Sequence, residues 1–247
     1  MIELERDEGI ARIFLNRAQK VNALDSALLD ALRACLGSLA GDAALRVVVV
    51  AGRGKAFCGG ADVTELAALD EQSAPGFVAR IHRVCSVLRA LPVPVVARLH
   101  GAVIGGGLEI AAACDLRIAA EGTKFAMPEV KLGIPSVVEA ALLPRLVGSG
   151  RAAWLVLTGE SIDAARARDW GLVEEVCAAA ELDQTLERVV ESLLAADPRA
   201  LRLQKELLQL WDEMPLAASI EASLARFGAA YAGGVPPALR RHTISRA

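Results

Sequence analysis

Residues His100 to Ala120 read "HGAVIGGGLEIAAACDLRIAA". Within it, the apolar run 102–113 contains three consecutive glycines, Gly105 to Gly107, and a single charge, Glu109. A lone ionised carboxylate is costly to bury, so proteins pair it, neutralise it or avoid it. Glycines let bare backbone N–H groups approach a ligand. A helix start adds unsatisfied N–H groups and a partial positive charge. The stretch therefore reads as a turn into a helix ending near Ala113, followed by a strand in "CDLRIAA". A working site would account for both the glycines and the acid.

Upstream, "LPVPVVARLHG" (91–101) reads as a strand with its prolines at the entry. Phe77 to Leu91 reads as a helix. "LRVVVVAG" (45–52) is an apolar β-branched run ended by glycine, the signature of a buried strand. Ala23 to Leu39 is a helix with Leu24, Leu28, Leu29, Leu32 and Leu36 on one face. "MIELERDEGIARIFLNR" gives two short strands joined at Asp7-Glu8-Gly9. Strands alternating with helices imply parallel pairing through crossover helices. From about Ser136 helices dominate, over 149–157, 163–169, 184–195, 198–211 and 216–231. The expected organisation is an α/β core over 1–190 and a helical C-terminal region over 191–247.

The 247 residues are 54% hydrophobic and 23% charged, enough for a large core. A net charge of −3 argues against a nucleic-acid or membrane-surface binder. The five cysteines are scattered, with no CxxC pair, and His82, His100 and His242 lack ligand spacing. Neither a disulfide framework nor a metal site is expected. The first residues lack a basic-then-apolar signal, and no apolar run is long enough to cross a bilayer. A reduced, soluble, cytoplasmic protein is the expectation.

A second glycine loop, "GRGKAFCGGADV" (52–63), also follows a strand and enters a helix. Two such helix starts aimed at one point would bind a carbonyl oxygen, and hold it more tightly as it becomes negative. Close helix–strand packing is the plainer use of either loop alone. Neither matches the lysine-bearing phosphate loop or GxGxxG.

Taken in order, "LNRAQKVNAL" (15–24), "GKAFCGGADV" (54–63), "GAVIGGGLEIAAACDLRIA" (101–119), "FAMPEVKLGIP" (125–135) and "LTGESIDAARARDWGLVEEV" (157–176) span most of the chain. Together they resemble the enoyl-CoA hydratase/isomerase, or crotonase, family. The resemblance implies a crotonase-like ββα superhelix core with a helical C-terminal trimerisation region. It implies a homotrimer or dimer of trimers, an acyl-CoA thioester as substrate and a place in fatty-acid metabolism. No cofactor is implied, because coenzyme A is part of the substrate.

By that resemblance the thioester oxygen is bound by the N–H groups of Ala61 and Gly106. Glu109 helps water add at C3, and Glu129 supplies the proton at C2. The plainer uses are a helix-dipole partner for Glu109 and a helix-opening Pro-Glu pair for Glu129. Both acids together favour hydration over double-bond isomerisation. The alternatives are a Δ3,Δ2-enoyl-CoA isomerase or another acyl-CoA lyase, and a non-catalytic acyl-CoA- or RNA-binding relative. Asn22, Ala23 and Leu24, with Gly60, Ala61, Asp62, Val63, Thr64, Gly105 and Gly106, match ligand-lining stretches. Arg17, Lys20, Arg53 and Lys55 are cation candidates for the coenzyme A phosphates, as are Arg240, Arg241 and Arg246 in the tail.

One segment departs from the pattern. Many relatives read "IPGAGGTQRLPRLVG" where this chain reads "IPSVVEAALLPRLVG" (134–148). The glycines are gone and a third acid, Glu139, appears. Ser136-Val137-Val138-Glu139 has the S-x-x-E form of a helix capping box. The other reading makes Glu139 a third catalytic acid or a selectivity element. Val137 and Val138 are bulkier and stiffer than the residues they replace, which would narrow an acyl pocket lined by that turn.

Overall fold

A computed structural model describes residues 1–237, 239 and 240. Arg241, His242 and Arg246 lie outside the described residues. The chain opens with a hairpin, β1 (Ile2–Asp7) against β2 (Ile10–Leu15), turning at Glu8 and Gly9 with positive φ at both. Next come α1 (Ser26–Leu39), β3 (Val47–Gly52), the short α2 (Val63–Leu66), α3 (Ala74–Ala90) and β4 (Val95–Leu99). The stretch around the glycines folds as β5 (Ala102–Ile104), α4 (Gly106–Ala113) and β6 (Leu116–Ala120). It is followed by β7 (Lys124–Ala126), α5 (Leu143–Val147), α6 (Ser149–Thr158), β8 (Ile162–Asp163), α7 (Ala164–Asp169) and β9 (Glu175–Cys177). Three longer helices close the chain: α8 (Leu182–Ala195), α9 (Pro198–Glu213) and α10 (Leu216–Ala230).

The main sheet has the order β1-β2-β3-β4-β6-β9 and is parallel throughout except for the β1–β2 hairpin. The valine run explains its layering. Successive side chains on a strand point to opposite faces. Val48 and Val50 join the core formed with α1, α3 and α4, while Val47 and Val49 meet Leu182, Leu186 and Val190 of α8. Burial on both faces is why the run has no polar alternation.

A second sheet, β5-β7-β8, forms beside the glycine turn. Its strands are two or three residues long, too short to show a period, and they were not expected from the sequence. The same holds for β9, a strand inside the region read as helical. The helix expected from Ala23 begins only at Ser26. Asp25 accepts from Leu28 N at 2.8 Å and caps it. Before it, Val21 and Asn22 take left-handed φ values of 56° and 54°, and Leu24 pairs as an isolated bridge with Ala61. The expected domain division after residue 190 falls inside α8, which packs on the main sheet. α9 and α10 then pack on each other. Lys205 of α9, 4% exposed, is tied to Asp115 at 2.6 Å.

Candidate active site

The two glycine loops meet at one cavity of about 240 Å³. Gly60 and Ala61 line it from the first loop, Gly105 and Gly106 from the second, and Glu109 and Glu129 from one side. Phe77, Val78 and Ile81 of α3, with Leu66, Leu132, Ile134 and Val137, give it an apolar wall. A larger hollow of about 480 Å³ lies across the main sheet beneath α8 and holds neither glutamate.

The bridge between Leu24 and Ala61 sets the first amide. Leu24 N donates to Gly60 O and Asp62 N donates to Leu24 O, both at 2.8 Å. That pattern engages residues 60 and 62 and leaves the Ala61 N–H outside the pairing. Gly106 is the first residue of α4, so its N–H has no intrahelical acceptor. Among the described residues neither N–H has a protein acceptor.

Each glycine of the run has a separate reason. Gly105 sits at φ 50°, and a Cβ there would collide with Glu129 Oε1. A Cβ on Gly106 would meet Leu24 Cδ1 at 3.0 Å and Ile81 Cδ1 at 3.2 Å. A Cβ on Gly107 would be driven into Cys58, 2.7 Å from its Cβ.

Glu109 is only 5% exposed. Its Oε1 accepts from Ala140 N at 3.1 Å. Burial pushes its carboxyl up from 4.5 to about 8, the charges of Glu129 and Glu139 add to the rise, and the Ala140 N–H opposes it. The apolar surroundings therefore favour the protonated form of Glu109. Glu129 lies in a short 3₁₀ turn, Glu129–Leu132, and its Oε2 accepts from Ser136 Oγ at 2.7 Å. The residue separation of the two acids is bridged by β6 and β7, which return the chain to the glycine turn; Gly105 N donates to Ala126 O at 2.9 Å.

The capping box is not formed. Ser136 spends its hydroxyl on Glu129, and the turn Val138–Leu142 has no side-chain cap. Glu139 points inward, 7% exposed, with Oε1 at 2.8 Å from His82 Nδ1 of α3. The local pattern lost to two long-range partners. Val137 does line the cavity, whereas Val138 takes φ 41° and is not part of its wall.

The remaining expected ligand-lining residues divide. Asn22 is fully buried, and its Nδ2 donates to the carbonyls of Arg53, Ala56 and Phe57 while Oδ1 accepts from Arg17 N. It braces the first loop and does not line the cavity. Asp62 caps α2 through Thr64 N at 2.9 Å and pairs with Arg17 at 2.5 Å, which holds its carboxyl below the usual range. Arg17 also reaches Asp25 and the Ala23 carbonyl, so it ties the loop together. Val63 lines the cavity; Ala23, Leu24 and Thr64 do not. Arg53 pairs with Glu3 and Glu5 and lines the hollow across the sheet, while Lys20 and Lys55 are exposed.

Known proteins resemble this chain in sequence and in fold. A family model described as enoyl-CoA hydratase/isomerase matches residues 5–232. A crotonyl-CoA hydratase of Syntrophomonas wolfei is 35% identical over 235 residues, covering 94% of this chain and 90% of that protein. A crystal structure of an enoyl-CoA hydratase of Mycobacterium smegmatis aligns with a TM-score of 0.91 at 33% identity, covering 94% of this chain and 91% of that one. One from Bacillus anthracis aligns at 0.88 and 33% identity, covering 92% and 89%. The fold is the crotonase fold, mixed α/β with a helical C-terminal region.

Proposed function

The chain belongs to the enoyl-CoA hydratase/isomerase family, and from that premise we propose that it hydrates the 2,3 double bond of a trans-2-enoyl-CoA thioester. The observation that carries this reading is the meeting of Glu109, Glu129, Ala61 and Gly106 on one cavity with apolar walls. The amides of Ala61 and Gly106 bind the thioester oxygen and stabilise the negative charge that grows on it. As water oxygen adds to C3, one carboxylate takes a proton from the water and the other carboxyl gives a proton to C2. All atoms of one water equivalent are accounted for, and coenzyme A is the only cofactor-like group the reading needs.

The burial of Glu109 offers a second division of labour beside the one implied by resemblance. In that second division Glu109, whose carboxyl burial raises to about 8, gives the proton to C2, and Glu129, oriented by Ser136, is the base toward water. The pH dependence of kcat/KM separates the two assignments. A fall above about pH 8 supports Glu109 as the acid; a rise through that pH restores it as the base.

The wall formed by Leu66, Phe77, Val78, Ile81 and Val137 favours short acyl chains. Turnover of crotonyl-, octenoyl- and branched enoyl-CoA tests this, and a flat profile removes it. Loss of conjugated-thioester absorbance with crotonyl-CoA tests the reaction itself. Glu129→Gln should lower kcat by on the order of 10³. Turnover of 3-enoyl-CoA without 2-enoyl-CoA hydration would make the protein an isomerase, and binding without turnover would make it a non-catalytic relative.

Self-association belongs to the same proposal. Leu216, Ile220, Leu224 and Phe227 of α10, with Tyr231 just after it, form an exposed apolar stripe at helical spacing. Such a stripe marks an interaction surface, and the homotrimer implied by resemblance would cover it.

A further inference from the structure

Val137 lines the cavity, and the residues on either side of its turn are tied down. On one side Ser136 Oγ donates to Glu129 Oε2 at 2.7 Å. On the other, Glu139 turns inward, and its Oε1 lies 2.8 Å from His82 Nδ1 of α3. The second oxygen, Oε2, is buried with no hydrogen-bond partner among the described residues. A buried acceptor left unmatched is costly, so Glu139 keeps its inward position against its own solvation. The hydration mechanism uses neither Glu139 nor His82.

Between the two ties, Val138 holds φ 41°. A β-branched residue rarely enters that left-handed region, and such a conformation persists only where the surroundings hold it. Val138 packs against the main core, and Glu139 follows it directly. The turn is thus held in one shape from both ends, with Val137 on its cavity side. The far end of the second tie matters as much. His82 directly follows Ile81 on α3 and stands one turn after Val78, and both of those side chains line the same cavity with Phe77. The Glu139–His82 bond therefore joins the two elements whose side chains form the apolar wall. Neither member of the bond lines the cavity itself, so any effect on an acyl group must pass through the turn.

We propose that the Glu139–His82 bond is a strut that sets how far the Val137 turn stands from α3, so that Val137 limits acyl length and Glu139 and His82 are its positioning residues. This role rests on the reading of the cavity as an acyl-CoA site and holds whichever glutamate gives the proton. An apolar pocket of fixed width discriminates between ligands one methylene at a time, each worth about tenfold or more in affinity where it fits badly. A wall free to retreat loses that discrimination and accepts the longer chain.

The test is the affinity for saturated butyryl-CoA and octanoyl-CoA, measured by titration calorimetry without turnover. The wild-type protein should bind the butyryl thioester more tightly. Val137→Ala, Glu139→Ala and His82→Ala should each raise the octanoyl-to-butyryl affinity ratio about tenfold. Glu139→Gln, whose amide can accept from or donate to the His82 ring, should keep the wild-type ratio. A merely structural defect would weaken both thioesters and leave the ratio where it was. His82 is 57% exposed, so its substitution decides the matter even where Glu139→Ala does not fold. An unchanged ratio in His82→Ala or in Val137→Ala overturns the inference, as does a ratio as high in Glu139→Gln as in Glu139→Ala. A wild-type protein that discriminates the two thioesters but hydrates no enoyl-CoA would defeat the proposed reaction and leave the strut standing, whereas one that binds neither would defeat both.

Discussion

Glu109→Gln should make the protein more stable, and increasingly so as pH rises. The side chain keeps its shape, and the amide oxygen still accepts from Ala140 N, as Glu109 Oε1 does at 3.1 Å. What it loses is the ability to ionise in an apolar setting. A carboxyl raised from 4.5 to about 8 by burial binds its proton more tightly folded than unfolded. Its contribution to stability is then full below pH 4.5 and is lost as pH climbs through 8. At about 1.4 kcal/mol for each decade of proton affinity, the loss between pH 5.5 and 9 is about 3 kcal/mol. For a chain of this length that is a change on the order of 5–10 °C in Tm.

The assay is thermal unfolding of both proteins across that pH range at one fixed protein concentration, since association would otherwise shift Tm. Groups that do not interact with Glu109 cancel in the difference. The difference should be small at the acid end, grow with pH and level off just above pH 8. Levelling off near pH 5 would mean that Glu109 titrates like an ordinary glutamate. A difference flat across the range would mean the same, and the argument for Glu109 as proton holder would fail.

Asn22→Ala should cost about 3 kcal/mol in denaturant unfolding, because three loop carbonyls and the Arg17 N–H lose one shared partner; an effect under 1 kcal/mol would show that the loop is braced elsewhere. Gly106→Val should lower kcat/KM by on the order of 10²-fold, since its added atoms press on Leu24 and Ile81 beside the proposed oxyanion donor; unchanged turnover would remove that role. Leu224→Glu with Phe227→Glu should shift the protein to smaller species in sedimentation, because both side chains lie on the exposed α10 stripe; an unchanged mass would place the interface elsewhere. If Glu109 is the proton donor, kcat/KM should fall near pH 8, where its carboxyl loses its proton; a profile that rises through that pH would make it the base.

Much of the fold was legible because its signals are local. The valine run at 47–50, the prolines before β4 and the glycine turn into α4 each announce themselves within a few residues. The loops around Ala61 and Gly106 and the acids Glu109 and Glu129 could be matched as short motifs, and they do share one cavity. What escaped was decided by distant partners. Ser136-Val137-Val138-Glu139 has every local mark of a capping box, yet Ser136 turns back to Glu129 and Glu139 goes to His82, 57 positions away. Asn22 matched a ligand-lining stretch but is consumed by carbonyls more than 30 positions on. The strands β5, β7 and β8 exist only because each completes the others' hydrogen bonds, and no window of sequence contains that pairing.

The lone acid of the opening stretch is the case where local and distant causes combine. Sequence supplies a carboxyl in an apolar run, but its proton affinity is set by α3, by the turn that carries Ala140 and by two other acids. A residue that weakens the fold as it ionises is the kind of local conflict found at working sites. The conflict can be read twice. The pH at which the stability gain of Glu109→Gln levels off reports Glu109 in the free protein. The alkaline limb of kcat/KM also reports the free enzyme. One proton must give one value by both routes. Agreement near pH 8 would identify the kinetic group as Glu109 without a structure of the complex, whereas a kinetic limb lying well away from the stability midpoint would assign that limb to a different group.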